Sequence, residues 1–277
     1  MAISAIARTT AQNYQAVPQA QAFDPIDYYA GLITKALGVF AALHVLAPRF
    51  SPFLWLRGCR EYDETQFAPE EISTIEKVRA KIEHYKKAMG IDSSISLLLA
   101  KGDFNGVFQG ISGVPGLSSP VIASGTNELE YFEEYLDGLL CHELAHIKNL
   151  DVLKLVPLAL MAFAVNAVVA PLFAGPFALF YEIGEIALIF GSLAFLSCRF
   201  EKQADLDAAK TLGTAKPLID LFKRVLEEHL AIRDETWLIN EDGDHCLDIL
   251  HPSLRERIRY LEEFESARTL RGEETIS

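Results

Sequence analysis

The stretch Cys141-His142-Glu143-Leu144-Ala145-His146 carries the pattern H-E-x-x-H, and it constrains the fold more than any other part of the chain. Histidines four apart share a face on a helix, one turn from each other, where both can reach the same ion. Neutral imidazole binds zinc at about 2.0–2.1 Å. Glu143 projects beside such an ion and can take a proton from water whose pKa zinc lowers to about 7. Leu136, Leu139, Leu140 and Leu144 make the helix largely apolar, so its histidines and glutamate need a chemical reason to be buried. Two histidines do not complete a catalytic zinc site, which takes three protein ligands and leaves a fourth position open. The fold must therefore bring a distant residue to this helix.

No histidine or acid follows at a short spacing that suits; Asp151 is too close and off the ligand face. The best candidate lies in Glu201-Lys202-Gln203-Ala204-Asp205. Glu201 and Asp205 are four apart and share a helical face. One carboxylate can bind the metal while the other accepts the second N–H of a ligand histidine, which fixes its tautomer. This assigns Glu201 to the metal and Asp205 to the support of a histidine. Taken alone, the segment also reads as a solvated acidic helix face.

Between these two elements lies the second constraint. Residues 155–198 contain no Lys or Arg, and their only acids are Glu182 and Glu185. Leu155 to Phe173 is 19 uncharged residues, enough for a spanning helix. Gly175 and Pro176 make a break, and Phe177 to Ser197 supplies a second span. The pair reads as a membrane hairpin that returns the chain to the side it left. Lys148 and Lys154 flank its entry, Arg199 and Lys202 its exit, and the turn has no basic residue. That asymmetry places the active-site side in the cytoplasm. Two buried or in-plane helices are the alternative, and Glu185 would need a partner or a proton inside lipid.

Composition agrees. The chain has 277 residues, room for one large domain or two small ones, and half of them are hydrophobic. Mean hydropathy is +0.17, and the apolar excess is concentrated rather than spread. A net charge of -13 argues against a nucleic-acid partner. Cys59, Cys141, Cys198 and Cys246 are widely spaced, as expected of reduced thiols.

Met1 to Ala22 lacks the pattern of a secretory signal and reads as a loosely attached arm. Tyr29 to Pro48, interrupted by Lys35 and His44, is about long enough to span a bilayer, and an interfacial or buried helix is the alternative. Pro69 to Met89 is an amphipathic scaffold helix with Ile72, Ile75, Val78, Ile82 and Met89 inward, Gly90 at its cap, and Lys81, His84, Lys86 and Lys87 solvated. Strands are expected at Ser94–Leu99, Val107–Ile111 and Pro120–Ser124. An edge of such a sheet can hold an extended peptide by main-chain hydrogen bonds. Thr126 or Asn127 is expected to cap the motif helix, which runs to about Leu150. Separate helices are expected at Arg199–Leu212 and Lys216–Ile232. Trp237–Asp248 reads as a polar surface loop without metal-ligand spacing. His251-Pro252 opens a last helix with Leu254, Ile258, Leu261 and Phe264 inward.

Three separated elements, H-E-L-A-H at 142–146, E-K-Q-A-D at 201–205 and H-P-S-L-R-E-R-I at 251–258, together resemble the membrane zinc metallopeptidases of the HtpX and CAAX-prenyl-protease type. The resemblance covers about Pro69 to Phe264. Asn105 with Gly110, in Asn105-Gly106-Val107-Phe108-Gln109-Gly110, is similar to that family's substrate-binding strand. The resemblance implies an α+β, mainly helical gluzincin domain with a small sheet and an inserted hydrophobic hairpin. It implies one Zn2+ per chain on His142, His146 and Glu201, with Glu143 as general base. His251 would stabilise the oxyanion, and Arg257 would support the site or the substrate. One departure is Cys198 between Ser197 and Arg199, where the family has Ser-Arg directly before its third ligand.

The expected organisation is an N-terminal arm and hydrophobic segment at 1–60, then a peptidase domain at 61–277 interrupted by the hairpin at 152–198. The expected activity is that of a membrane-anchored, zinc-dependent endopeptidase facing the cytoplasm, with protein or peptide substrates and lipid as partners. Its alternative is an inactive membrane scaffold that retains the fold.

Overall fold

The structure is a computed structural model and describes residues 60–61, 67, 69–100, 109–111, 120–125, 133–151, 154, 157, 161, 176–246 and 248–272. The arm, the apolar segment Tyr29–Pro48, residues 105–108, Thr126, Asn127 and most of the expected first span lie outside these residues.

Among the described residues the named elements make a mainly helical domain with one small sheet: β1 (Arg60–Glu61), α1 (Pro69–Ala88), β2 (Ser96–Ala100), β3 (Gln109–Ile111), β4 (Val121–Gly125), α2 (Leu136–Asn149), α3 (Pro176–Leu212), α4 (Lys216–Ile232) and α5 (Leu254–Leu270). The sheet order is β1-β2-β4-β3. β2 and β4 pair in parallel, with Leu97 opposite Ile122. β3 runs antiparallel to β4 at one edge and lies against α2. β1, which no periodicity announces in two residues, pairs antiparallel at the other edge. Successive side chains of a strand face opposite sides. Accordingly Leu97, Leu99 and Ile122 enter the main core, while Leu98 packs with Val121 and Ala123 on the other face.

α1 starts at Pro69, where a missing N–H costs nothing. Beyond its end, Gly90 adopts φ +70 and donates to Lys87 O, while Ile91 N–H reaches back to Lys86 O. Ile75, Val78, Ile82 and Met89 are buried against Leu140 and Leu144 of α2. Lys81 is not merely solvated: its Nζ lies 2.5 Å from Asp137 Oδ1 and ties α1 to α2.

The motif helix begins later than expected. Glu133–Tyr135 forms a 3-10 turn, and α2 starts at Leu136 with Tyr135 at its N-cap and no side-chain cap. It stops at Leu150, whose φ of 53 breaks the helical path. Lys154 N–H then donates to Leu150 O at 3.2 Å, a contact of helical spacing just beyond that residue.

The largest difference is α3. Two elements were expected, a span ending at Ser197 and a helix from Arg199; they are one helix of 37 residues, about 55 Å long at 1.5 Å per residue. Nothing between Ser197 and Arg199 removes an N–H or demands a turn, so the ladder continues. Among the described residues α3 is the one helix long and apolar enough to cross a membrane, with an 18-residue window of mean hydropathy 1.6 that is 12 % buried. Phe180, Ile183, Leu188 and Phe195 point away from the domain and are exposed. Its C-terminal third is different: Glu201, Ala204, Asp205, Ala208 and Ala209 are buried against α2. Small residues on that face let the two helices approach closely.

α4 and α5 close the core through Leu218, Leu221, Phe222, Ile258 and Leu261. α5 is capped by Ser253, whose Oγ accepts from Glu256 N–H at 3.1 Å, rather than by His251.

Candidate metal centre

The site sits where α2 and the buried third of α3 cross. His142 and His146, one turn apart, present their Nε2 atoms 3.1 Å from each other. Glu201 fills the gap from α3: its Oε2 lies 3.3 Å from His142 Nε2 and its Oε1 3.3 Å from His146 Nε2. Four ligands on a tetrahedron with bonds of 2.0–2.1 Å stand about 3.3–3.4 Å apart. The two nitrogens and the carboxylate thus already hold the spacing that zinc requires. They are also the one group among the described residues whose ligand atoms converge in this way. Glu201 Oε2 is buried without a hydrogen-bond donor, which a cation would remedy. The residues present therefore fit zinc.

What lies behind the histidines sets their tautomers. His142 Nδ1 is 2.8 Å from Asp205 Oδ1, though off the ideal hydrogen-bond line, and His146 Nδ1 is 2.9 Å from Asp151 Oδ2. A proton on Nδ1 leaves the Nε2 lone pair aimed at the site. Asp205 is itself fully buried. Arg257 clamps it with two hydrogen bonds, Nε to Oδ2 at 2.8 Å and Nη2 to Oδ1 at 2.7 Å, and the Tyr260 hydroxyl donates to Oδ2. The same guanidinium stands 3.6 Å from Glu201 Oε2 and 4.0 Å over the Phe222 ring. Lys154 Nζ holds the other oxygen of Asp151 at 3.1 Å.

The charges follow. Burial alone would raise the Asp205 pKa, but Arg257 and His142 bring it down to about 2. Glu201 is likewise held well below its ordinary value, against burial, by His146 and His142. Burial would lower both histidines; instead Asp205 raises His142, and Glu201 and Asp151 raise His146 to about 10. Without a metal, the raised histidines and Arg257 together offset the charge of this acidic pocket.

Glu143 is buried on α2 beside His142, and its charge is felt at His146. His251 enters from the turn before α5. Its Nε2 is 3.6 Å from Glu201 Oε1, and its Nδ1 is 2.7 Å from Asp248 Oδ1 and 2.9 Å from Oδ2. His142, Glu143, His146, Glu201, Asp205, His251 and Arg257 are therefore brought together. The two described residues of the expected substrate strand, Gln109 and Gly110, form part of β3 beside α2. Asn105, Gly106, Val107 and Phe108 are outside the described residues. Arg199 is not in the site: its guanidinium lies over the Phe195 ring at 5.4 Å.

Three supporting residues escaped sequence reasoning. Asp151 is five places from His146, off its helical face; only the left-handed turn at Leu150 swings it back. Tyr260 follows Arg257 by three, a spacing that could have marked it as a neighbour on one face. Asp248 sits in what reads as a plain polar loop. Cys141, Cys198 and Cys246 are free thiols, and burial pushes the Cys141 thiol up, so it behaves as an inert core residue.

No curated protein and no solved structure matches the chain significantly. A family model does: peptidase family M48 matches residues 117–265, which is over half of the 277 residues and includes both metal-site helices. The chain belongs to peptidase family M48.

Proposed function

We propose that this protein is a membrane-anchored zinc endopeptidase of the HtpX and CAAX-prenyl-protease type, acting at the cytoplasmic face. Members of family M48 are zinc metallopeptidases, so the class of reaction follows from membership. The finer reading rests on one observation, the convergence of His142 Nε2, His146 Nε2 and the Glu201 carboxylate, with both histidines backed by buried aspartates.

In this reading His142, His146 and Glu201 hold the metal. Bound zinc supplies a Lewis acid that polarises the scissile carbonyl and acidifies water. Glu143 accepts the proton of the attacking water and delivers it to the leaving amine. His251 faces the oxyanion. Asp205 and Asp151 hold the two ligand histidines, and Arg257 holds Asp205. β3 offers a sheet edge for an extended substrate, and Asn105 to Gly110 are the residues that would bind it.

Residues 61–277 are the peptidase domain, with 152–198 as the hydrophobic hairpin. The exposed apolar half of α3 supports the anchor, and Lys148 and Lys154 before the hairpin with Arg199 and Lys202 after it support the orientation. Substrates are misfolded or membrane-proximal proteins, in quality control or processing.

The test is zinc content of the purified protein beside His146→Ala, Glu201→Ala and Glu143→Gln. About one zinc per chain, lost in the first two variants and retained without cleavage in the third, supports the reading. A folded wild type that takes up no zinc would overturn it and leave a scaffold. Resistance to carbonate extraction is expected of the anchor; release by carbonate would assign the apolar face of α3 to a protein partner.

A further inference from the structure

Glu201 is ringed by three imidazoles, and each has an aspartate behind it. Two of these pairs, His142 with Asp205 and His146 with Asp151, belong to the metal centre. The third, His251 with Asp248, differs in kind. Both partners are about 40 % exposed, and neither is a ligand by the spacing of the cluster. A half-exposed imidazole on a turn rotates about two torsions and can swing its ring nitrogens away from the site. Both Asp248 oxygens lie within 2.9 Å of His251 Nδ1, a contact that locks the ring with Nε2 toward Glu201.

The loop that carries Asp248 is built to hold it. Gly243 takes φ +83 and lies so close to α4 that a Cβ there would meet Leu226 Cδ1 at 2.4 Å. Asp244 Oδ1 accepts Leu254 N–H at 2.8 Å, joining the loop to the start of α5 just beyond His251. Asp248 N–H itself donates to His245 O at 2.9 Å. The loop is thus pinned against α4 before Asp248 and to the start of α5 beyond His251.

We propose that Asp248 is the positioning residue of His251, fixing the imidazole so that Nε2 faces the reacting carbonyl. The proposal rests on His251 facing the oxyanion, as in the function above. Asp248 acts only through the orientation of that ring and takes no part in holding the metal.

The experiment uses the full-length zinc-loaded protein. It compares Asp248→Ala, Asp248→Ser, Asp248→Asn, His251→Ala and the double variant Asp248→Ala/His251→Ala. The readouts are zinc content, kcat and KM on a fluorogenic peptide, and the Kd of a phosphinic peptide that mimics the tetrahedral species. Asp248→Ala and Asp248→Ser, which cannot reach Nδ1, are expected to lose about 10- to 100-fold in kcat, as buttress variants do. KM and zinc content stay unchanged, and phosphinate affinity falls by the same factor as kcat. Asp248→Asn, whose Oδ1 still accepts the Nδ1 proton, recovers most of the rate. The double variant is no slower than His251→Ala, because the two residues act as one unit. If His251→Ala is slow while Asp248→Ala and Asp248→Ser run at the wild-type rate, or if the double variant is slower than His251→Ala by the full Asp248 factor, the positioning role is overturned. If His251→Ala itself runs at the wild-type rate, both the role of His251 and that of Asp248 fall.

Discussion

Loading this site with zinc must expel protons, and the pocket sets how many. In the metal-free protein the Glu201 and Asp151 carboxylates raise His146 to about 10, and Asp205 raises His142. Glu201 stays ionised throughout, since the same histidines hold its pKa well down. A ligand histidine has to be neutral. At pH 7, three units below its pKa, only about one His146 in a thousand is neutral. Each pH unit gained should then tighten zinc tenfold through His146 alone, and up to a hundredfold where His142 titrates as well. Between pH 6 and 8 the affinity should rise by about 100-fold to 10,000-fold. Competition with a chromophoric chelator across that range, corrected for the chelator's own protonation, measures the slope. Calorimetry in two buffers of different ionisation enthalpy counts the protons, and between one and two are expected at pH 7. An affinity that moves less than tenfold over the two units, or release of well under one proton, would refute the argument. Stability of the metal-free protein follows with its own sign. His146, raised to about 10, contributes stability present in full below about 6.5 and lost as pH climbs through about 10. Asp205, depressed to about 2, contributes above about 3.9 and is lost as pH falls through about 2.

Further outcomes follow from single residues. Arg257→Met leaves Asp205 and Glu201 as buried carboxylates without their guanidinium, and should cost about 3–5 kcal/mol in urea denaturation of the metal-free protein. Arg257→Lys should recover little of it, because an ammonium cannot make the two-pronged contact. Asp151→Ala removes the acceptor of His146 Nδ1 and should weaken zinc by about 10- to 100-fold in the same chelator assay, with Glu143 untouched. Gly243→Ala places a side chain at positive φ against Leu226, and should cost about 1–3 kcal/mol by thermal melting.

The parts of the site visible in the sequence are those that share a helical face. His142 with His146, and Glu201 with Asp205, are four apart, so a single periodicity points each pair the same way. The distance between the pairs is bridged by the fold, and only the demand for a third ligand suggested that they meet. Asp151 was hidden for the opposite reason. Its role depends on one left-handed residue, Leu150, with no glycine to announce it. Asp248 was hidden because a polar loop and a pinned loop have the same composition; the difference lies in the close approach of Gly243 to α4. The helices were legible where end signals are chemical, as at Pro69 and Gly90, while the Ser253 cap was overlooked in favour of His251-Pro252. The boundary expected at Ser197–Arg199 was drawn from a change in polarity, and backbone hydrogen bonds are indifferent to that change. β1 pairs by main-chain contacts alone, and its two residues carry no pattern.

The unbroken course of α3 makes the apolar segment and the third ligand a single phase-locked object. Each residue turns a helix by about 100°, so the direction in which Phe180 and Leu188 face is fixed relative to Glu201 by the number of residues between them. One inserted residue between Leu188 and Glu201 would leave composition, hydropathy and length almost unchanged. It would also rotate the exposed stripe by more than a quarter turn against the buried face that carries the carboxylate. The chain can therefore exchange one exposed apolar residue for another along this rod, but it cannot change the residue count without choosing between its outer surface and its metal site.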